Sequence, residues 1–263
     1  MSQTPGQPLA GKRIVVTRPQ AQAGGLCDAI AAAGGEALCI PVMSIDAVPV
    51  SDEFSALIDT LDQFHLAFFV SPNAAEHGVA AVRARRTWPA SLAVATVGKG
   101  SERALHALGF EQVIAPETGF DSEAVLALPA FSAQAVTGKR IIIFRGNGGR
   151  DLLGDTLTRR GAAVSYAACY ARRVPSEGAT SLLAEADRMD ALILTSSEGV
   201  SNLMTMLGAQ MSRLARIPVF APHPRICARA TAAGFARVVE TAPGDAGVVD
   251  GLARYFLGGC RNA

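Results

Sequence analysis

Charge of one sign, paired cysteines and long apolar runs are all missing from this chain. Its 24 Lys and Arg are offset by 23 Asp and Glu, leaving a formal net charge of +1. The basic residues are spread along the chain, so the clustered basic face of a nucleic-acid binder is absent. Any anionic ligand must be held by local groups and not by a global field. The five cysteines, Cys27, Cys39, Cys169, Cys227 and Cys260, are odd in number and widely spaced. They suggest neither a disulfide framework nor a zinc site, and read as reduced thiols of a cytoplasmic protein. The four histidines, His65, His77, His106 and His223, show no metal-ligand spacing. No apolar run approaches the roughly 18 residues of a membrane span. The opening MSQTPGQPLAGKR lacks the apolar core of a signal peptide, and residues 1–9 read as a frayed tail. No Gly-x-Ser-x-Gly elbow is present, which leaves a serine hydrolase little support.

What is present is apolar mass and self-similarity. Apolar residues make up 49% of the 263 positions and charged residues 18%, enough to bury a core of one large domain or two ordinary ones. GKRIVVTRPQAQAGGLCDAIAAAGGEA from Gly11 aligns without a gap on GKRIIIFRGNGGRDLLGDTLTRRGAAV from Gly138. The match pairs Lys12 with Lys139, Arg18 with Arg145, Leu26 with Leu153 and Gly34 with Gly161. Further on, Ser71 of FFVSPNAAE pairs with Ser196 of ILTSSEGV, and Gly109-Phe110 with Gly234-Phe235. The period is far longer than a solenoid repeat, so the chain reads as a duplicated α/β half.

Each half has the same rhythm. Short apolar runs (IVVT, IIIF, LAFFVS, ALILTSS, LAVATVG, IPVFAP) read as buried strands. Each leads into an Ala/Leu-rich helix, and Gly34 and Gly161 sit where a left-handed helix cap is expected. Strands alternating with helices imply parallel sheets covered on both faces. The fold class is therefore α/β, with two doubly wound parallel-sheet domains of the flavodoxin or Rossmann kind. Ligands of such sheets bind at the carboxyl ends of the strands.

Those ends supply the candidates. Ser71 before Pro72 is a helix start, and Thr195 with Glu198 fits a capping box. Both serve equally as plain caps or as anion sites built from helix N–H groups. Gly98-Lys99-Gly100-Ser101 and Gly146-Asn147-Gly148-Gly149 are Gly-rich turns that bring bare backbone near a phosphate or carboxylate, or simply turn the chain. Neither is a P-loop, and Asp151 stands where a dinucleotide fingerprint needs its third glycine. Arg18 and Arg145 follow equivalent strands and either bond the neighbouring loop or meet a ligand. His223, in FAPHPR, is the one histidine at an expected strand end. Tyr166 and Tyr170 lie in AAVSYAACYARRVP, which alternates enough for a strand and leads at Pro175 into a new composition; packing and chemistry are both open to them.

GKRIVVTRP, FFVSPNAAEHG, ATVGKGSERALHALGF, IIIFRGNGGRDLLGDTLTRRGAAV, CYARR, LILTSSEGV and FAPHPRICARATAAGF, in that order and spacing, resemble the uroporphyrinogen-III synthase family from about Gly11 to about Leu257. The resemblance implies a discontinuous first domain (1–42 and 173–263), a second domain (46–167), and two inter-domain crossing strands (39–46 and 166–174). It implies a monomeric, cytoplasmic hydro-lyase of haem biosynthesis that needs no metal or organic cofactor and binds neither nucleic acid nor membrane. The implied substrate is hydroxymethylbilane, which loses its hydroxyl as water, passes through a spiro intermediate, inverts the last pyrrole ring and closes to uroporphyrinogen III. The family's general acid is a tyrosine, and Tyr170 in CYARR matches it; phenols keep their proton at neutral pH and can donate it. Substrate contacts are expected from Arg18, Ser71, Gly98, Lys99, Ser101, Arg145, Ser196, Ser197, His223 and Arg225, with the loops around them facing one another across the two lobes. Ser101 stands where many relatives carry Thr, and FAPHPR departs from a Gly-Pro-Thr-Thr pattern. Residue chemistry alone leaves one alternative, a two-domain α/β sugar- or nucleotide-binding protein or transferase.

Overall fold

A computed structural model describes residues 7–148 and 151–258, so Cys260 and Gly149 lie outside the described residues. Backbone contacts divide the chain into two compact units, one within Met1–Ser44 and Arg173–Ala263 and the other Ile45–Arg172.

The chain enters the first unit with β1 (Arg13–Val16), α1 (Gln20–Ala32) and β2 (Glu36–Cys39). It then builds the second unit from β3 (Ser44–Ala47), α2 (Asp52–Asp59), β4 (Leu66–Phe69), α3 (Pro72–Arg83), β5 (Ala93–Thr96), α4 (Lys99–Ala107), α5 (Ser122–Leu126), α6 (Ala133–Val136), β6 (Arg140–Gly146), α7 (Leu152–Arg159) and β7 (Ala163–Arg173). It finishes the first with α8 (Gly178–Glu185), β8 (Ala191–Ile193), α9 (Ser197–Leu207), β9 (Val219–Ala221), α10 (Pro224–Ala232), β10 (Val238–Glu240) and α11 (Gly244–Gly258). Gly34 and Gly161 have φ of 88° and 89°, the left-handed geometry that ends α1 and α7 and turns the chain into the next strand.

In the first unit the strand order is β10-β9-β8-β1-β2, and the pairs β2·β1, β1·β8, β8·β9 and β9·β10 are parallel. Alternation along each strand sends side chains to opposite faces. Val15, Leu192, Val219 and Ala221 pack on one side with Leu182, Leu203 and Ile226 from α8, α9 and α10. Ile14, Val16, Ile193 and Phe220 pack on the other with Leu26 and Ile30 of α1 and Val248 and Leu252 of α11. The second sheet, β3-β7-β6-β4-β5, is built likewise. Phe69, Val94, Ile142 and Phe144 lie against α2, α3 and α4, whereas Leu66, Phe68, Ile141 and Ile143 lie against α5, α6 and α7. Each sheet thus has both faces covered, the doubly wound arrangement expected of near-continuous apolar strands.

Two sequence expectations change. Leu9 is not in a frayed tail: it is fully buried in the cluster that holds Ile14 and Leu26, and its N–H donates to Ala33 O at 2.9 Å. Burying the isobutyl group, worth about 1.5–3 kcal/mol, offsets part of the cost of ordering these terminal residues. The segment read as a crossing strand over 39–46 is two strands, β2 ending at Cys39 and β3 starting at Ser44, with residues 40–43 between them in neither. The later segment, read as a strand over 166–174, is the longer β7, which pairs with β6 from Ala163 to Tyr170.

Leu9→Ala is expected to destabilise the first unit by about 2–4 kcal/mol, the range for deleting a buried leucine side chain. Urea unfolding followed by circular dichroism measures this, and an unchanged midpoint would return residues 7–9 to the status of a tail.

Candidate functional site

Because both faces of each sheet are sealed by helices, polar chemistry is left to the strand ends. In the second unit, β4 ends at Phe69, and two residues later Ser71, in extended conformation, starts α3. Its Oγ accepts the Ala74 N–H at 3.1 Å, the cap that Ser before Pro predicts. The same Oγ lies 3.1 Å from Tyr170 Oη. With the cap occupying one Ser71 lone pair, the serine hydroxyl hydrogen is available for the phenol oxygen. That leaves the phenol's own proton free to point elsewhere.

Tyr170 reaches this position through an irregularity. Along β7, Arg145 of β6 pairs with Ala168, but Gly146 pairs with Tyr170, leaving Cys169 as an extra residue. Strict alternation would place Cys169 and Tyr170 on opposite faces; with the bulge both pack in the cluster beneath α3. Tyr170 is 2% exposed, its ring lies against the His77 ring (centroids 5.9 Å apart), and the Arg172 guanidinium sits 5.9 Å from its centroid. Cys169 sits beneath it, its thiol donating to Arg145 O at 3.5 Å and Ala74 O at 3.6 Å. Burial pushes that thiol up to about 12, and the backbone contacts only partly offset it.

A cavity of about 360 Å³ opens at this strand end, within the range of small-ligand pockets. Ser71, Tyr170, Arg145, Arg172, Tyr166, Asp121 and Ser122 supply its polar lining, and Phe68, Val97, Phe120 and Ile143 contribute an apolar wall. Arg145 is held by Asp151 at 2.6 Å and lies over the Tyr166 ring, 5.0 Å from its centroid. Burial, reinforced by the Asp151 charge, raises the Tyr166 pKa above the usual phenol range. A second hollow of about 210 Å³ shares Val97 and Phe120 with the first and is lined by Gly98, Lys99 and Ser101 at the start of α4. Gly98 offers no side-chain cap to that helix. The unsatisfied N–H groups of the first turn are suited to a carboxylate. Ser101 is 3% exposed and Lys99 pairs with Glu102 at 2.9 Å.

The remaining candidates lie at the carboxyl edge of the first unit's sheet. Arg18, after β1, pairs with Asp245 in the first turn of α11 at 2.7 Å. Ser196 caps α9, accepting the Gly199 N–H at 2.9 Å; the start falls one residue after the Thr195–Glu198 box read from sequence. Both residues have side-chain acceptors, and the later hydroxyl is the one the backbone turn presents to the helix. Among the described residues the buried Ser197 Oγ finds no partner. His223 caps α10, its Nδ1 accepting the Arg225 N–H at 3.0 Å, and Arg225 is exposed.

Ser71, Arg145 and Tyr170 therefore share one cavity, with Gly98, Lys99 and Ser101 beside it, while Arg18, Ser196, Ser197, His223 and Arg225 belong to the other unit. Sequence reasoning missed Arg172 and Phe120, and left Tyr166, which lines the cavity, open between packing and chemistry. Arg172 had a signal, since it stands two residues after Tyr170 on one strand, where side chains share a face. Phe120 lies in a loop without periodicity and had none. Among the described residues no three His, Cys, Asp or Glu side chains group as metal ligands would, and no helix is long and apolar enough to cross a membrane.

A family model described as uroporphyrinogen-III synthase HemD matches residues 26–250. The uroporphyrinogen-III synthase of Salmonella typhimurium is 33% identical over 200 residues, covering 73% of this chain and 79% of that protein. That of Escherichia coli is 30% identical over 201 residues, covering 74% and 79%. Among solved structures, a mutant uroporphyrinogen III synthase from Thermus thermophilus superposes with a TM-score of 0.63 at 18% identity, covering 94% of this chain and 99% of that one. At that identity the likeness speaks to the fold.

The buried thiol makes a testable case for the local packing. Its folded pKa, raised to about 12, lies above the ordinary thiol value, so the stability it confers is complete below about pH 9 and is lost as pH rises toward 12. Wild type should lose more stability than Cys169→Ser between pH 9 and 11 in matched urea titrations. Equal losses would mean that the thiol is not buried as described.

Proposed function

The chain belongs to the uroporphyrinogen-III synthase family, an enzyme family of haem biosynthesis, and from that premise we propose that the cavity at Tyr170 is where its tetrapyrrole substrate loses water. The observation that carries the reading is the 3.1 Å contact between Tyr170 Oη and Ser71 Oγ at the mouth of α3, beside Arg145 and Arg172. Family membership sets aside the sugar- or nucleotide-binding alternative.

The substrate is read as hydroxymethylbilane, a linear tetrapyrrole bearing acetate and propionate side chains. An apolar wall with cationic and N–H-rich edges suits a pyrrole ring carrying carboxylates. Arg145 and Arg172 supply guanidinium groups for them, and the start of α4 at Gly98, Lys99 and Ser101 supplies backbone donors. In the first unit taken by itself, Arg18, Ser196, Ser197, His223 and Arg225 are proposed as carboxylate contacts. Ser197 Oγ, buried and unsatisfied among the described residues, gains a partner when one arrives. Arg18 and Arg145 are each already paired with an aspartate, which holds the guanidinium in place.

Chemistry begins when Tyr170 donates its proton to the substrate hydroxyl. The C–O bond breaks, water departs, and electron density from the pyrrole nitrogen fills the vacancy. Ser71 donates to the phenolate oxygen left behind, with its lone pair still held by Ala74 N–H. The substituted α-carbon of the last ring then bonds to the methylene left by the hydroxyl, giving the spiro intermediate; the bond from that carbon to its original bridge breaks, the ring inverts, and its free α-carbon closes onto the released bridge methylene, losing a proton that returns to the Tyr170 phenolate. The ring's orientation is a matter of how the bound chain is held, so the choice of bond belongs to the pocket and not to the acid. In this reading the enzyme is a monomeric cytoplasmic hydro-lyase working without a metal or organic cofactor.

Tyr170→Phe keeps the ring packing and removes only the hydroxyl. Its single-turnover rate with enzymatically made hydroxymethylbilane is expected to fall by roughly 10²–10⁴, the contribution of one general acid. The product resolved by chromatography should remain type III. An unaltered rate removes Tyr170 from the mechanism, and a switch to type I product would show that the phenol controls geometry. Ser71→Ala should weaken binding by only about 0.5–1.5 kcal/mol. Gly98→Pro, which disturbs the start of α4, should hurt binding more in a variant that still folds.

A further inference from the structure

Gly146 is buried at the end of β6, and its backbone is not in the left-handed region, so no torsional demand explains the missing side chain. The explanation lies across the ladder. A Cβ at this position would sit 2.8 Å from both Cε2 and Cζ of Tyr170 and 3.2 Å from its Oη. These are the atoms at the phenol's reactive end. The ring rests on bare backbone there, because Gly146 is the residue paired with Tyr170 just past the Cys169 bulge.

The next residue completes the seat. The Asn147 side chain accepts the Arg172 N–H through Oδ1 at 3.1 Å, and its Nδ2 lies 3.5 Å from Arg172 O. The carboxamide thereby continues the β6–β7 ladder by one rung beyond the point where β6 ends. Tyr170 is thus bracketed on its own strand, with Cys169 held below by Arg145 O and Ala74 O, and Arg172 held above by Asn147. From the helix side, His77 closes on the ring. With its backbone pinned on both sides and one ring edge against Gly146, the phenol has one place for its oxygen, beside Ser71.

From this arrangement we infer that the Gly146-Asn147 turn positions the Tyr170 hydroxyl for proton transfer, Gly146 by lacking a side chain and Asn147 by extending the strand ladder. The inference rests on Tyr170 being the acid. Neither residue is assigned contact with the reacting atoms; both act through the phenol. A methyl group at 146 pushes the ring away from Gly146 and moves Oη off the line to the departing hydroxyl, while the carboxylate-binding groups stay where they are.

The test is a double-mutant cycle on single-turnover rates with hydroxymethylbilane, using Gly146→Ala, Tyr170→Phe and the pair, at matched folded concentration. Gly146→Ala is expected to lower the maximal rate by roughly ten- to a hundredfold, the scale of a displacement approaching 1 Å, with the half-saturating substrate concentration within about twofold of wild type. In the Tyr170→Phe background the same change should cost less than about twofold, because the hydroxyl it displaces is already gone. Asn147→Ala, at an exposed position, provides a second variant should Gly146→Ala fail to fold; it is expected to show a smaller loss with the same non-additivity. If Tyr170→Phe is impaired but the Gly146 and Asn147 variants keep full rate, or their losses multiply with that of Tyr170→Phe, the positioning role is wrong and the acid survives. If Tyr170→Phe itself keeps full rate, the acid assignment fails and the inference falls with it.

Discussion

Covering both faces of a parallel sheet is the constraint from which the rest of this molecule follows. Parallel strands joined by helical crossovers place helices above and below, and here the two sheets are sealed by four apolar clusters, a pair for each. An interior of this kind favours polar groups that are bonded, as Thr17 and Thr96 are to strand carbonyls across the sheet. Ligand chemistry is therefore displaced to the carboxyl ends of the strands, where helix N-termini present unsatisfied N–H groups. The candidate residues of either unit lie near such ends, in the turns that follow or in the first turns of the helices.

Within that constraint, one local fault in regularity shapes the cavity of the second unit. The bulge at Cys169 breaks the period-two pattern of β7 and turns Tyr170 toward α3, where Ser71 is already occupied as a cap. A helix cap and a contact to the phenol thus fall to one side chain: Ser71 Oγ accepts the Ala74 N–H and also lies 3.1 Å from Tyr170 Oη. Cys169 is the cost of the bulge, a thiol buried so deeply that ionisation is pushed up to about 12. The charges around the cavity are similarly committed. Arg145 is tied to Asp151 and stacked on Tyr166, and Arg18 in the other unit is tied to Asp245, so each guanidinium is held in place before any ligand arrives.

Much of this was legible from residue order. Short apolar runs of four or so residues, glycines at 34 and 161, and Ser71-Pro72 determine strands, helix stops and a helix start through local sterics and hydrogen bonding alone. They do so because each depends on neighbours a few residues away. The two-residue spacing of Tyr170 and Arg172 was also written in the chain. Local reading failed where two local signals competed, as at Thr195 and Ser196, or where a distant partner decided, as at Leu9, whose burial depends on Ile14, Leu26 and a carbonyl at Ala33.

Tertiary structure alone decided the site. That β6 pairs with β7 and with β4, so that Gly146 lies beside Tyr170 and the Tyr170 oxygen beside Ser71, is a matter of strand register between segments far apart in sequence. No periodicity announces a one-residue register shift, because the bulge is defined by the partner strand and not by the strand that contains it. Gly146 reads in sequence as one more turn glycine; only the tyrosine ring lying against it shows why a side chain has no room there. The sequence by itself thus determined the strands, the helices and the kinds of side chain available at their ends. Which of those side chains meet was left to non-local packing.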